Sequence, residues 1–340
     1  MATSPTPPPA ATAPSAAAPA PQVESSAEPA AERQRHEGEN LERVITQHSE
    51  GTTAVGGSGH PLGLTCTKNG CPRLEFTFKP KIPILYFLFL VFFNLVIPCL
   101  LYYLLKIYVE KLDDKTLIGI ASAALGFSSC IDAPFRLWKL AKHRDVYGPL
   151  LEGKWWHLDF SMWYYTWSMF WFAIPLAIAP ALGLFDFFLF STAMLVSPAL
   201  IILAISLHPW HLPYPMSSDP PRTPTKPAVY YVLEDLVAVD FEYGKPWRRA
   251  LQARYNASPV FRSNIYRQTV YWTIAGLVFV GVTGGVVWGS PLNFAFAWVL
   301  GQFFLWVVLA GLGSWGLARY DLRKEHRWWE QHAMGEKLQV

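Results

Sequence analysis

The chain has 340 residues, of which 52% are hydrophobic, 15% aromatic and only 16% charged, with a mean hydropathy of +0.20. Soluble domains carry about 25% charged residues, so a pair of ordinary soluble domains is excluded and an integral membrane protein is expected. Twenty-eight basic residues against 25 acidic ones give a net charge of +3, which excludes the basic excess of a nucleic-acid binder, and four cysteines are too few for a disulfide scaffold.

Residues 1–60 are expected to be a disordered tail. Seven prolines fall in the first 22 residues among Ala, Ser and Thr, and a mixed-charge stretch, Glu24 to Glu50, follows. Such a segment cannot bury enough apolar surface to offset its ordering entropy. It lacks the basic start and apolar core of a signal peptide, and its first arginine, Arg33, comes too late for a mitochondrial presequence. The first apolar helix is then its own insertion signal. In the juxtamembrane segment 61–81, Cys66 and Cys71 are expected as reduced thiols, with palmitoylation the alternative. A zinc site there would need more ligands than nearby His60.

A hydrocarbon core of about 30 Å takes about 20 helical residues. Six runs are long enough: Ile82–Leu105, Leu117–Leu137, Ser161–Leu184, Phe187–Leu207, Thr269–Trp288 and Leu292–Leu317. Asp132, Pro134 and Arg136 interrupt the second. The basic residues support six. Four lie close before the first span (Lys68, Arg73, Lys79 and Lys81), five between Arg136 and Lys154, eight between Arg222 and Arg267, and five from Arg319 onward. The intervening connections carry three (Lys106, Lys111, Lys115, opposed by three acids), none and none. With six spans every basic segment falls on one side, which the positive-inside rule makes cytoplasmic. The expected fold is therefore all-α: spans one to four in 82–207, a cytoplasmic loop at 208–267, spans five and six in 268–317, and a cytoplasmic tail at 318–340. Both termini face the cytosol, in the endoplasmic reticulum, plasma membrane or vacuole. Trp138, Trp155, Trp156, Trp210, Trp328 and Trp329 fall at the same boundary as an aromatic belt. The sequon Asn256-Ala257-Ser258 faces the cytosol and is expected to be unmodified.

Small residues let membrane helices approach closely. Gly281, Gly285 and Gly289 form a stripe at a spacing of four, with lesser pairs in the second and sixth spans (Gly119 and Ala123, Ala310 and Ser314). They are expected to pack the bundle internally, a subunit interface being the alternative. Pro98, Pro175, Pro180 and Pro198 should kink or end helices, and no inverted repeat of the transporter kind is visible.

In the 208–267 loop, seven prolines at 209–227 give an extended stretch, and Ala228–Asp240 then reads as a short helix whose narrow polar face holds Tyr231, Glu234, Asp235 and Ala238. After a break at Gly244, Pro246–Asn256 reads as an amphipathic helix. Trp247, Ala250, Leu251 and Tyr255 are on one side, Arg248, Arg249, Gln252 and Asn256 on the other, and Arg254 on the apolar stripe, where it must pair or snorkel. Asn256 to Pro259 starts a new helix. A basic amphipathic helix beside a membrane attracts anionic lipid, which makes Trp247, Arg248, Arg249, Arg254, Arg262 and Arg267 the expected lipid-binding residues. Internal neutralisation by the nearby acids is the equal alternative.

Asp132 and Arg136 are spaced as an i,i+4 ion pair, the bland reading of two ionisable groups in a span. The catalytic candidates are Asp132, His208, His211, Glu234, Asp235 and Asp240. No HExxH, desaturase histidine box, phosphate-cradling glycine loop, nucleophile elbow or EF-hand is present, and neither His157 nor any other histidine lies at haem depth. No metal and no cofactor are expected, and enzyme activity has no motif behind it.

The blocks Gly126–Leu150 (GFSSCIDAPFRLWKLAKHRDVYGPL) and Tyr230–Arg262 (YYVLEDLVAVDFEYGKPWRRALQARYNASPVFR) resemble an uncharacterised family of fungal multi-pass integral membrane proteins, over about residues 72–320. The resemblance implies a membrane fold and attaches no activity to any residue. Three functions stay open: a non-enzymatic membrane protein whose cytoplasmic loops bind lipid headgroups or a protein partner, supporting assembly or transport; a membrane-embedded enzyme acting on a lipid or isoprenoid; and a small-solute channel or carrier. Sparse intramembrane polar residues (Asn94, Asn293, Gln302) weigh against the last.

Overall fold

The structure, a computed structural model, describes residues 74, 81–109, 113, 116–120, 134, 136–151 and 158–337, with side chains through 331. Expectations for the tail, for His60, Cys66 and Cys71, for Asp132, for the middle of the second span, for Trp155 and Trp156 and for His157 lie outside these residues. The described chain is helical without a strand; two isolated bridges, His211 to Pro224 and Met216 to Asp219, are its extended pairings.

The first run is α1 (Lys81–Val91), a π turn (Phe92–Val96) and α2 (Ile97–Tyr108) in one continuous rod. The π turn has a local cause. Pro98 has no N–H and its ring crowds the carbonyl four residues back, so the chain rewinds, with Ile97 N–H donating to Phe92 O. The amide of Asn94 is spent within the same rod, donating to Leu90 O at 3.0 Å. Residues 116–120 and 136–142 are helical at either end of the second run, and α3 (Arg144–Tyr147) follows it.

α4 (Phe160–Leu182) is capped at both ends, by Asp159 accepting from Met162 N–H at 2.9 Å and by Gly183 at φ 71°. α5 (Phe185–Leu189) and α6 (Ser191–Ile205) come next, with Phe190 between them. Phe190 N–H donates to Asp186 O and Met194 N–H to Phe190 O, so the two helices continue one ladder. α7 (Ala228–Asp235) runs into a second π turn (Leu236–Asp240) and is followed by α8 (Gly244–Ala257), α9 (Pro259–Gly289) and α10 (Leu292–Lys337). Among the described residues, four helices are long and apolar enough to cross a membrane: Pro83–Tyr108, Phe160–Leu182, Pro259–Gly289 and Leu292–Gln331. Ser191–Ile205 is a shorter apolar helix. The chain is thus that of a membrane protein, its regular structure among the described residues being helical.

α9 and α10 form an antiparallel hairpin with a ladder of polar contacts. Gln268 donates to Ser314 O, Tyr271 to Ala310 O, Trp306 to Ala275 O, and Gln302 to Phe279 O at 3.2 Å and Thr283 Oγ1 at 3.1 Å. Each four-residue step down one helix meets a similar step up the other, so Gln302 fastens two helices together. The glycine stripe of α9 lies elsewhere. A Cβ built on Gly281, Gly285 or Gly289 meets no described atom within 4 Å. These glycines do not pack the described bundle, because α9 meets α10 through Gln268, Tyr271, Ala275 and Phe279 and meets α6 at Gly276, beside Val196 and Leu200.

Two hydrophobic cores result. One gathers Tyr102, Phe188, Leu189, Val287, Phe296 and Val299 around the α4–α5 and α9–α10 turns. The other gathers Leu140, Met162, Tyr230, Tyr231, Val237, Trp247, Leu251, Phe261 and Ile265 at the far end of α4. Segment 208–267 is therefore a small folded layer that shares this core with Leu140 and the first turn of α4.

Candidate functional site

The second core surrounds a buried set of charges. Turn residues Met216–Asp219 are closed by reciprocal backbone hydrogen bonds (Met216 N to Asp219 O at 3.1 Å, Asp219 N to Met216 O at 2.9 Å), with Ser217 at φ 47°. The turn aims three side chains at α7. Ser217 Oγ donates to Asp235 Oδ1 at 2.9 Å, Ser218 Oγ donates to Glu234 Oε1, and Asp219 accepts from Tyr231 OH at 2.8 Å and from Lys226 Nζ at 2.7 Å.

Against this, α8 brings Arg248. Its Nη1 donates to Asp235 Oδ1 at 2.5 Å and to Glu234 Oε1 and Ser217 Oγ at 3.1 Å each, and its Nη2 donates to Tyr147 O at 3.2 Å. The other oxygen of Asp235 accepts from Ser161 N–H at 2.9 Å, on the first turn of α4. Gly244 makes the approach possible. Its φ is +62°, and a Cβ there would lie 2.7 Å from Val146 O, so α8 can start against α3 only with glycine.

Next to this lies a second arginine. Arg136 donates through Nη2 to Asp159 Oδ2 at 2.8 Å and through Nη1 to Asp240 Oδ2. The i,i+4 partner expected from spacing, Asp132, is outside the described residues, and both Nη atoms of Arg136 are held by acids distant in sequence. A third pair joins α8 to α10: Arg254 grips Glu325 with Nε to Oε1 at 3.1 Å and Nη2 to Oε2 at 2.8 Å, with its guanidinium 5.2 Å from the Phe261 ring centre. One turn away, Arg267 pairs with Asp321 and donates to Asn264 Oδ1 at 3.1 Å.

Burial sets the electrostatics. Glu234, Asp235, Asp159, Arg248, Arg254 and Glu325 are each no more than 1% exposed. Around the first two arginines, four carboxylates (Asp159, Glu234, Asp235, Asp240) face two guanidinium groups, so negative charge is in excess. Desolvation, then repulsion from Asp235, pushes the Glu234 carboxyl up to about 7 against the pull of Arg248. The same two causes push Asp159 up to about 6, opposed by Arg136 and Arg248. Burial also raises Asp240 and the phenols of Tyr230 and Tyr231. Glu234 Oε2 is buried and accepts no hydrogen bond among the described residues.

The catalytic candidates divide. Glu234, Asp235 and Asp240 come together, but in the grip of arginines and serines. His208 and His211 are exposed, and no hydrogen bond or ion pair links them to these acids. A groove of about 380 Å³, lined by residues including Asp186, Phe190 and Trp288, lies beside Gly183, at the opposite end of α4 and about 35 Å from the cluster. Among the described residues no group of three His, Cys, Asp or Glu side chains could hold a metal ion.

The expected lipid-binding residues divide too. Trp247, Arg248 and Arg254 are buried, and Arg267 is held by Asp321, whereas Arg249 and Arg262 are exposed. Internal neutralisation describes Arg248 and Arg254, because acids of α7 and α10 reach them before any headgroup can. Sequence reasoning missed Ser217, Ser218, Asp219, Asp159 and Glu325. The first three carried a signal in the Ser-Ser-Asp turn chemistry among prolines, and Asp159 carried one as a cap residue just ahead of an apolar run.

No curated protein and no solved structure matches the chain. One family model, described as a domain of unknown function (DUF8766), covers residues 65–329, which include the whole of the charged cluster, all of α9 and α10 as far as Trp329. The chain belongs to that uncharacterised family.

Proposed function

We propose that the chain crosses the bilayer six times with both termini in the cytosol, and that it works without catalysis, its 208–267 layer being a rigid cytosolic platform for lipid headgroups or a protein partner. The observation that carries this reading is the inward turning of the charges. An enzyme of this kind would set Glu234, Asp235 and Asp240 at a cavity beside His208 and His211. Here two arginines and two serines engage these acids, and the histidines stand apart. Buried ion pairs contribute little net stability but hold one arrangement of the groups they join.

The six-span count is supported by α5 and α6, whose joint ladder from 185 to 205 gives about 31 Å of helix. The helical ends at 116–120 and 136–142 bracket the second run, and the sidedness of the basic segments supports the orientation. Arg249 and Arg262, exposed on the platform, are where contact is expected. A photo-crosslinking amino acid placed at each position in turn, in intact membranes, should yield an adduct with phospholipid or with one discrete polypeptide. Failure of both positions to label anything in the membrane would refute the platform reading.

A further inference from the structure

The last helix sorts its charges by side. Past the apolar part of α10, the acids Asp321 and Glu325 turn inward, 1% and 0% exposed, and bind Arg267 and Arg254. The bases turn outward. Arg319, Arg323, Lys324 and Arg327 are all exposed, and no ion pair occupies them among the described residues. At 100° per residue these four lie on one arc of less than half the circumference. The arc's nearest acid, Glu330, is held by His326 at 3.1 Å.

The basic arc continues an apolar one. On the same side, towards the helix start, Leu305, Leu309 and Leu312 are between 52% and 59% exposed, as side chains facing acyl chains are. Trp315 follows, with Arg319 stacked 4.0 Å from its ring centre, and then Tyr320. Acyl-facing leucines, interfacial aromatics and then a run of cations is the order in which a bilayer presents hydrocarbon, headgroup boundary and anionic headgroups. Helix direction helps: α10 leaves the membrane running towards its C-terminus, and Cβ vectors tilt towards the N-terminus, so the arginines are aimed back at the leaflet. From Arg319 to Arg327 the rise is about 12 Å, against a headgroup layer of about 5–8 Å, a gap long arginine side chains can span by snorkelling.

We propose that Arg319, Arg323, Lys324 and Arg327 form a binding surface for anionic phospholipid headgroups of the cytosolic leaflet. This rests on the membrane orientation proposed above and identifies the lipid class, while moving the main contact from the 208–267 layer to the last helix. Three of the layer's six arginines (Arg248, Arg254 and Arg267) are consumed by acids, whereas the stripe's form no ion pair among the described residues because Asp321 and Glu325 are spent on that layer.

The test reconstitutes the full chain in phosphatidylcholine bilayers with trace spin-labelled phosphatidylserine or phosphatidylcholine and measures the motionally restricted fraction of each. A basic residue near an anionic leaflet favours the charged lipid by up to about fivefold. Averaged over all lipids around the protein, of which the stripe touches a few, the serine-to-choline association ratio should be about 3. R319Q/R323Q/K324Q/R327Q should bring it to about 1, R249Q/R262Q should leave most of it, and 1 M salt should reduce it by shortening the screening length to about 3 Å. An equal ratio in wild type and the stripe variant overturns the proposal and leaves the stripe to solvent or an acidic protein surface. Loss of selectivity in R249Q/R262Q alone also overturns it, but leaves the platform reading standing. Absence of selectivity in the wild type, with no adduct at Arg249 or Arg262, sinks both.

Discussion

Replacing Arg254 by methionine tests whether α10 is latched to α8 by charge. Arg254 is 1% exposed and Glu325 0%, and the fork between them has contacts of 3.1 and 2.8 Å. Arg254→Met strands the Glu325 carboxylate in an apolar setting, and Glu325→Leu strands the guanidinium beside Phe261. Removing one partner of a buried pair costs about 3–5 kcal/mol, whereas replacing both by apolar residues is often neutral or better. Undocking of α8 from α10 should therefore become more populated by about two to three and a half orders of magnitude in either single variant. In the double variant, R254M/E325L, it should return to within about tenfold of wild type. The assay is limited trypsin cleavage at the exposed Arg249 and Arg262 in nanodiscs, at protease concentrations where cleavage follows the open population. Single variants cleaved within threefold of wild type would refute the latch. So would a double variant as vulnerable as the product of the singles, since the two losses would then be independent of each other.

Glu234 and Asp159, raised to about 7 and about 6 by burial, give the cluster a pH dependence. Their folded values lie above their unfolded ones, so this contribution is complete below about pH 4 and is lost as pH rises through about 6 to 7. For Glu234 it is on the order of 3 kcal/mol. The apparent Tm of the solubilised protein should thus be higher at pH 5.5 than at pH 8. Glu234→Gln, which keeps an acceptor for Ser218, should raise the pH 8 value; a Tm that climbs from pH 5.5 to 8 in wild type contradicts the argument. Gly244→Ala meets Val146 O at 2.7 Å in a left-handed backbone and should cost about 2 kcal/mol or more, whereas Gly285→Ala, with open space around it, should be neutral or gain up to about 1 kcal/mol. Matching Tm values for these two variants would show that α8 does not need its close approach to α3. Asn256 is exposed in its sequon but should carry no glycan, so endoglycosidase should leave the electrophoretic mobility of the protein from a eukaryotic host unchanged. A shift would put α8 on the other side of the membrane.

Elements governed by local chemistry were legible in the sequence. The apolar runs correspond to α1–α2, α4, α5–α6, α9 and the first half of α10, because length and hydropathy are local properties. Arg254 was recognisable as an arginine on an apolar stripe that needed a partner. The partner, 71 positions away on a different helix, was not, since nothing in the spacing of Glu325 points to α8. The polar face of α7 could be read off a helical wheel, yet its fate could not. Tyr231, Glu234 and Asp235 are the buried face because Ser217, Ser218, Asp219 and Arg248 supply what water would have supplied. The glycine stripe of α9 shows a further limit: a pattern states that one side of a helix is flat, and tertiary contacts decide which way that side faces. α10 continues about 20 residues beyond its expected exit from the membrane at Leu317, because hydropathy marks where the apolar run ends, while Arg, Lys and Glu are good helix formers that carry the backbone onward.

The 46 residues of α10 make one rod of about 69 Å, roughly twice what the hydrocarbon thickness requires. Asp321 and Glu325 clamp it to α9 and α8 at two heights one turn apart, which fixes the rod to the hairpin just beyond its apolar run. A bilayer that thins must then be accommodated by tipping the hairpin as a unit, with the 208–267 layer carried along. For each 10° of tip, the far end of the rod, about 30 Å above the last apolar residue, swings sideways by about 5 Å. Membrane thickness is thereby converted into lateral displacement at the end outside the bilayer, with the molecule acting as a lever whose fulcrum lies in the lipid.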